Sequence, residues 1–126
     1  MRTVVVTPRP LVAFGQDILQ CSAVDRASVA QDWLGRGFSC DLWVDPPGQV
    51  WENYVHSVDE LVMLLEGELE LKVQGRVFQP KIGEEVFIPA HGTHSVRNIG
   101  GTTAKWLYGY KGRGTGVMGY GEERAG

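Results

Sequence analysis

All three histidines of this chain fall in two short stretches that also carry a glutamate and several turn-forming residues. The first stretch reads Gly48-x5-Tyr54-x-His56-x3-Glu60-x6-Gly67, and the second reads Gly83-x5-Pro89-x-His91-x2-His94-x3-Asn98. Two imidazoles and one carboxylate make a ligand set that suits a divalent transition metal and leaves coordination positions open for a substrate. His56, Glu60 and His94 are therefore the candidate metal ligands. Whether they can meet depends on the elements that carry them.

Val50–His56 reads as a strand on which Tyr54 and His56, two residues apart, share a face. A short turn over Ser57-Val58-Asp59 then starts the next strand at Glu60, which could fold back beside His56. Val62 and Leu64 on that strand are apolar, so Glu60 would be a carboxylate among core residues. An unpaired buried carboxylate is costly, and a metal offsets that cost. The plain alternative is an exposed Glu at a strand start beside a surface His. In the second stretch Ile88-Pro89 ends a strand, Ala90–Thr93 is a loop, and His94 opens a strand with Val96 and Asn98 on its face. Asn98 can bond local backbone and help end that strand. His91 reads as a rim or turn residue rather than a ligand.

The surrounding elements are short and β-like, punctuated by an abundance of glycine. Thr3–Thr7 reads as an edge strand stopped by Pro8 and Pro10. One helix is expected: Ser22-x-x-Asp25 opens it, Asp25–Leu34 forms it and Gly35 ends it. Its partial stripe of Val24, Val29, Trp33 and Leu34 would pack on the outside of a sheet. Phe38–Val44 alternates, with Phe38, Cys40, Leu42 and Val44 on one face. Glu60–Glu66 is apolar on both faces, which calls for a further layer outside it, either the N-terminal segment or a second subunit; a homodimer through this surface is expected. Glu68–Val73 alternates as a half-buried strand does, and Gln74-Gly75 turns it into Arg76–Phe78. Glu85–Ile88 and Ala104–Tyr110 complete the set. Trp106, Tyr108 and Tyr110 share a face of the last strand, with Trp43 and Trp51 on strands nearby. Core packing explains such a stripe by default, and a pocket lining is the alternative. Arg76 and Arg97 fall out of phase with the inward residues, so a neutral or aromatic substrate is favoured over a strongly anionic one.

The chain's 126 residues are read as one all-β domain: an N-terminal strand and helix over 1–35, a barrel core over 36–111 and a glycine-rich tail over 112–126. Met118 and Tyr120 could dock that tail over an opening, against a frayed terminus as the alternative. A net charge of −3 without a block of like charges gives no footprint for nucleic acid. There is no apolar run long enough for a membrane helix and no signal peptide at the start. Cys21 and Cys40 are too few for a disulfide framework and are read as reduced thiols of a cytoplasmic protein.

The two stretches resemble the paired motifs of the cupin superfamily, small double-stranded β-helix (jelly-roll) barrels. The first cupin pattern is Gly-x5-His-x-His-x3–4-Glu-x6-Gly, and every position is matched except the first His, here Tyr54. The second is Gly-x5-Pro-x-Gly-x2-His-x3-Asn, matched except at the middle Gly, here His91. The resemblance implies that His56, Glu60 and His94 fall on three of four metal-ligand positions, with Tyr54 on the fourth. Fe, Mn, Ni, Zn and Cu all accept such ligands. Tyr54 is a phenolate ligand, a hydrogen-bond or acid–base group beside the centre, or a packing residue. Two functions follow from the resemblance. One is a metal-dependent oxygenase or isomerase acting on a small organic molecule. The other is a non-catalytic binding or sensing cupin whose metal site is degenerate or empty. Homodimers are common in such a family.

Overall fold

In the computed structural model, residues 3–7 and 24–112 are described. Among them the elements run β1 (Val5–Thr7), α1 (Arg26–Gly35), β2 (Asp41–Asp45), β3 (Val50–Tyr54), β4 (Glu60–Glu66), β5 (Leu69–Val73), β6 (Arg76–Phe78), β7 (Glu85–Ile88), β8 (His94–Asn98) and β9 (Ala104–Tyr110). They form two antiparallel sheets, one ordered β1-β7-β4-β9-β2 and the other β3-β8-β5-β6. The inner faces meet over one apolar core. Val62, Leu64, Val86 and Ile88 come from the first sheet, and Leu69, Leu71, Val73 and Val96 from the second. This is the jelly-roll arrangement expected, with β1 on the sheet edge as read from its flanking prolines.

Turn chemistry sets the register. Gln74 (φ 52) and Gly75 (φ 84) both sit in the left-handed region, as a two-residue hairpin between β5 and β6 requires. At Gly67 (φ 87) a Cβ would lie 2.8 Å from the Thr103 carbonyl oxygen, so the first motif's last glycine is there for a close backbone approach.

Helix α1 adds a third layer outside the larger sheet. The Asp25 side chain caps it by accepting from the Ser28 N–H, so Asp25 precedes the helix rather than lying in it. Val29 and Trp33 pack on Leu61, Met63, Leu107 and Phe38. Leu61 and Met63 are completely buried. The homodimer surface expected on β4 is therefore covered by α1 of the same chain, and the outer layer is the N-terminal segment.

Two local expectations are corrected. The strand expected over Phe38–Val44 runs over Asp41–Asp45, while Phe38, Cys40, Leu42 and Val44 share a face as expected, the outer one. Phe38 and Cys40 join the layer beneath α1, whereas Leu42 and Val44, beyond it, are exposed. The inner face of β2 instead carries Trp43 and Asp45. The strand expected over Val50–His56 ends at Tyr54, because Asn53 (φ 59) breaks the pleat and shifts the β3–β8 register. His56 thus lies past the strand, and strand alternation does not place it with Tyr54. Ser22, Met118 and Tyr120 lie outside the described residues. No helix among the described residues is long and apolar enough to cross a membrane.

Candidate metal centre

His56 follows β3, Glu60 opens β4 and His94 opens β8, so three separate elements deliver the three side chains to one end of the barrel. All three are buried, and one ligand atom from each lies within 4.8 Å of the others. Glu60 Oε1 is 3.6 Å from His56 Nε2 and 3.3 Å from His94 Nε2. It is a buried oxygen without a hydrogen-bond partner. The expected trio is thus assembled.

Hydrogen bonds hold the two motifs together. The His91 N–H donates to the His56 carbonyl oxygen at 2.8 Å, and the Ala90 N–H donates to Asp59 Oδ1 at 2.8 Å. His91 has φ 68 and an exposed side chain. That backbone explains why the cupin pattern has glycine there, and His91 contributes its amide rather than its ring, as a turn residue would. His94 Nδ1 lies 3.0 Å from the Gly92 carbonyl oxygen. A carbonyl only accepts, so Nδ1 carries the proton and the neutral ring presents the Nε2 lone pair to Glu60. Burial works against a charged His94, but the Glu60 carboxylate beside it outweighs that, and the imidazole pKa is raised.

Tyr54 packs its ring on Trp51, with centroids 6.2 Å apart. The phenol that meets His56 is another one: the Tyr110 hydroxyl lies 3.4 Å from His56 Nε2, and the two rings pack edge-to-face at 4.9 Å. Tyr110 was legible in sequence only as the end of an aromatic stripe. Cross-strand pairing of Glu60 with Tyr110 brings it to the centre.

A second polar cluster sits on the inner face and was not anticipated. Asp45 is 1% exposed, and its carboxylate accepts three indole N–H groups. Trp43 and Trp51 donate to Oδ1 at 2.8 and 3.0 Å, and Trp106 donates to Oδ2 at 3.1 Å. Asn98, the last residue of the second motif, locks the loops nearby. Its Nδ2 donates to the carbonyl oxygens of Asp45, Pro46 and Thr102, and its Oδ1 accepts from the Gly100 N–H. The motif asparagine is thus a clamp for the loops beside β2 and β9. Arg97 lies on the outer face between Glu52 and Glu70, and Arg76 is exposed, as expected.

The model of the Cupin domain matches residues 41–110, which span every one of these groups except the outer helix. The chain belongs to the cupin family. Solved structures agree on the fold. The cupin domain of Cnp3 from Schizosaccharomyces pombe superposes with a TM-score of 0.56 at 20% identity, over 60% of this chain and 56% of that one. The DMSP lyase DddQ from Ruegeria pomeroyi gives 0.55 at 22% identity, over 60% and 39%. Salicylate 1,2-dioxygenase from Pseudoaminobacter salicylatoxidans gives 0.54 at 12% identity, over 60% and 20%. The matched part of this cupin thus corresponds to about half or less of each of those chains. No curated protein matches it in sequence.

Proposed function

We propose that this cupin holds one divalent transition-metal ion on His56, Glu60 and His94 and acts with it on a small organic molecule, as an oxygenase or an isomerase. The observation that carries this reading is Glu60 Oε1, a buried carboxylate oxygen with no hydrogen-bond partner and two imidazole nitrogens within 3.6 Å. Leaving such an oxygen unsatisfied costs on the order of 1–3 kcal/mol. A cation beside it offsets that cost and uses the lone pair that the His94 ring presents. When bound, such an ion supplies Lewis acidity and open positions for a substrate.

The chain's own residues supply the rest. The Gly92 carbonyl fixes the His94 tautomer. Tyr110 keeps a proton-bearing oxygen 3.4 Å from the His56 ring. Tyr54, on the fourth ligand position of the family pattern, is the acid–base candidate toward substrate. Half-buried Trp43, Trp51 and Tyr108 pack against the core on the inner face. The lyase and the dioxygenase named above contain a domain of this fold, which makes such chemistry compatible at the level of fold alone. The proposal takes residues 1–126 as one domain working in the cytoplasm. A homodimer would have to use a surface other than the β4 face beneath α1, and light scattering at micromolar concentration checks for it.

The second reading is a non-catalytic binding or sensing cupin, favoured by Tyr54 where the pattern has a histidine. Elemental analysis of protein purified without added metal or a metal-binding tag separates the two. Near-stoichiometric metal, lost in both His56→Ala and His94→Ala, supports the metal centre. A chain that stays metal-free even after reconstitution leaves the binding module.

A further inference from the structure

We propose that Asn53 and Ser95 are positioning residues, which together hold a bulge in β3 that turns Tyr54 to the inner face beside His94. The proposal deepens the reading above and rests on it for a metal centre at His94.

The register carries the first step. Trp51 stands opposite Val96 and Tyr54 opposite His94, with the pairing shifted between them. Glu52 and Asn53 therefore share Ser95 as their one partner, the arrangement of a β-bulge. Both are exposed, and both line an outer groove with Ser95 and Arg97. Two consecutive residues thus face outward where the pleat would send one of them in. Plain pairing continued from Trp51 would put Asn53 opposite His94 and Tyr54 on the outer face. The bulge exchanges them. Residues directly opposite on antiparallel strands share a face, so Tyr54 lies on the side from which His94 reaches Glu60.

The second step is how the bulge is held. Of the three non-glycine residues with positive φ among the described residues, Asn53 (φ 59) is the one inside a strand. Asparagine enters that region more readily than most residues. A bulge leaves its extra residue unpaired in the ladder. Here a side chain serves it, because the Asn53 N–H donates to Ser95 Oγ at 3.0 Å. Ser95 is buried although it faces outward. A left-handed residue costs stability and persists where its surroundings over-determine it.

The third step is what the bulge delivers. Tyr54 is partly buried and its ring rests on Trp51, which belongs to the inner layer. The phenol is thereby carried on β3 next to a ligand of the proposed centre on β8. Asn53 and Ser95 act on that centre only through Tyr54.

The test uses the full chain labelled with fluorotyrosine. Fluorine NMR is recorded before and after loading with cobalt(II), whose broadening of a signal falls steeply with distance. Tyr54→Phe and Tyr110→Phe assign the two signals, and cobalt(II) should broaden both. Asn53→Val places a β-branched residue at a positive φ, and Ser95→Ala removes the acceptor. Each should relieve most of the Tyr54 broadening and leave that of Tyr110 unchanged. Asn53→Gly and Ser95→Thr should keep the native pattern. Deletion of Asn53 should keep it too, because plain pairing then leaves Tyr54 opposite His94 without a bulge. Tyr54 broadening that survives in both Asn53→Val and Ser95→Ala, with native circular dichroism, overturns the proposal. So do equal losses at Tyr54 and Tyr110, which would mean that the ion has moved, and so does a deletion variant that loses the broadening. A chain that takes up no cobalt(II) would overturn the metal reading alone. The Tyr54 signal of the metal-free protein still reports its seat on Trp51, and the same pattern of displacement and rescue then decides the bulge.

Discussion

Glu60 and Glu85 sit at opposite ends of the same β4–β7 ladder, where Glu60 pairs with Ile88 and Met63 pairs with Glu85. Both are buried. They face different layers and are treated in opposite ways. Glu85 points outward under α1, where Arg36 grips both its oxygens at 2.9 and 2.7 Å and Trp33 donates to one of them at 3.0 Å. Its carboxylate holds the Arg36 pKa well above the ordinary arginine value. Glu60 points inward, where its Oε1 accepts no hydrogen bond and faces two imidazoles. A carboxylate supplied with a guanidinium and an indole fastens a helix to a sheet. A carboxylate oxygen left open between two imidazole nitrogens is the group on which the proposed cation site rests.

The strongest way to break this contrast is to remove a ligand. His94→Ala should weaken metal binding more than about hundredfold, beyond what loss of an outer-shell partner costs, so that purified protein carries almost none. Metal retained in that variant would place the ion elsewhere. The two acids can then be compared directly by denaturant unfolding of the metal-free chain above the imidazole range. Glu85→Gln should cost about 1–3 kcal/mol, because charged hydrogen bonds are lost while the half-exposed Arg36 is still partly served by water. Glu60→Gln should cost almost nothing or stabilise slightly, since it removes an uncompensated buried charge. Equal losses in the two variants would erase the distinction between fastener and site.

What the sequence made legible follows from distance along the chain. Leu69, Leu71 and Val73 declared a strand because alternation is local, and all three are fully buried. The trio could be read because Tyr54 to Glu60 spans one turn and the second motif has its own fixed spacing. Partners far apart could not be read. Arg36 reaches Glu85 across 49 positions, and Trp106 reaches Asp45 across 61. No periodicity announces either contact. The reach of α1 was equally hidden, which is why Leu42 and Val44 ended up exposed on the same face as buried Phe38. The break after Trp51 turned on Asn53 adopting a left-handed backbone that its residue type permits without demanding.

A pH series sharpens the contrast by its sign. The His94 pKa is raised in the folded chain, so its contribution to stability is fully present below the unfolded imidazole pKa of about 6.5. That contribution is lost as pH rises through the folded value. The metal-free chain should therefore gain melting temperature from His94 as pH falls toward 6.5. Metal binding needs the neutral ring, so the ion's apparent affinity should fall over the same interval. Opposite slopes with and without metal are the expected signature. Parallel slopes would mean that the ion does not compete for the His94 proton. The metal-free slope should also flatten in Glu60→Gln, because Glu60 is the charge that raises the pKa.

The smallest expected effect separates two tyrosines that the motif alone could not rank. Tyr54 holds the family's fourth ligand position by spacing, but the ring contact that defines it here is with Trp51. Tyr110 is outside both motifs, yet its hydroxyl is 3.4 Å from His56 Nε2, the nitrogen that faces Glu60. Phenylalanine at either position keeps the ring and removes only the oxygen. If the Tyr110 oxygen turns to the ion instead of holding the His56 Nε2 lone pair, Tyr110→Phe should lower metal affinity by up to about tenfold, and if it holds that lone pair the affinity should rise. Tyr54→Phe should then leave affinity nearly unchanged and alter only turnover or ligand binding. The reverse order, with Tyr54→Phe costing the metal and Tyr110→Phe costing nothing, would mean that the phenol at the fourth position has taken over the missing histidine's role. Competition titrations with a chelating dye resolve differences of this size. The outcome decides which oxygen completes the trio that the backbone has already assembled.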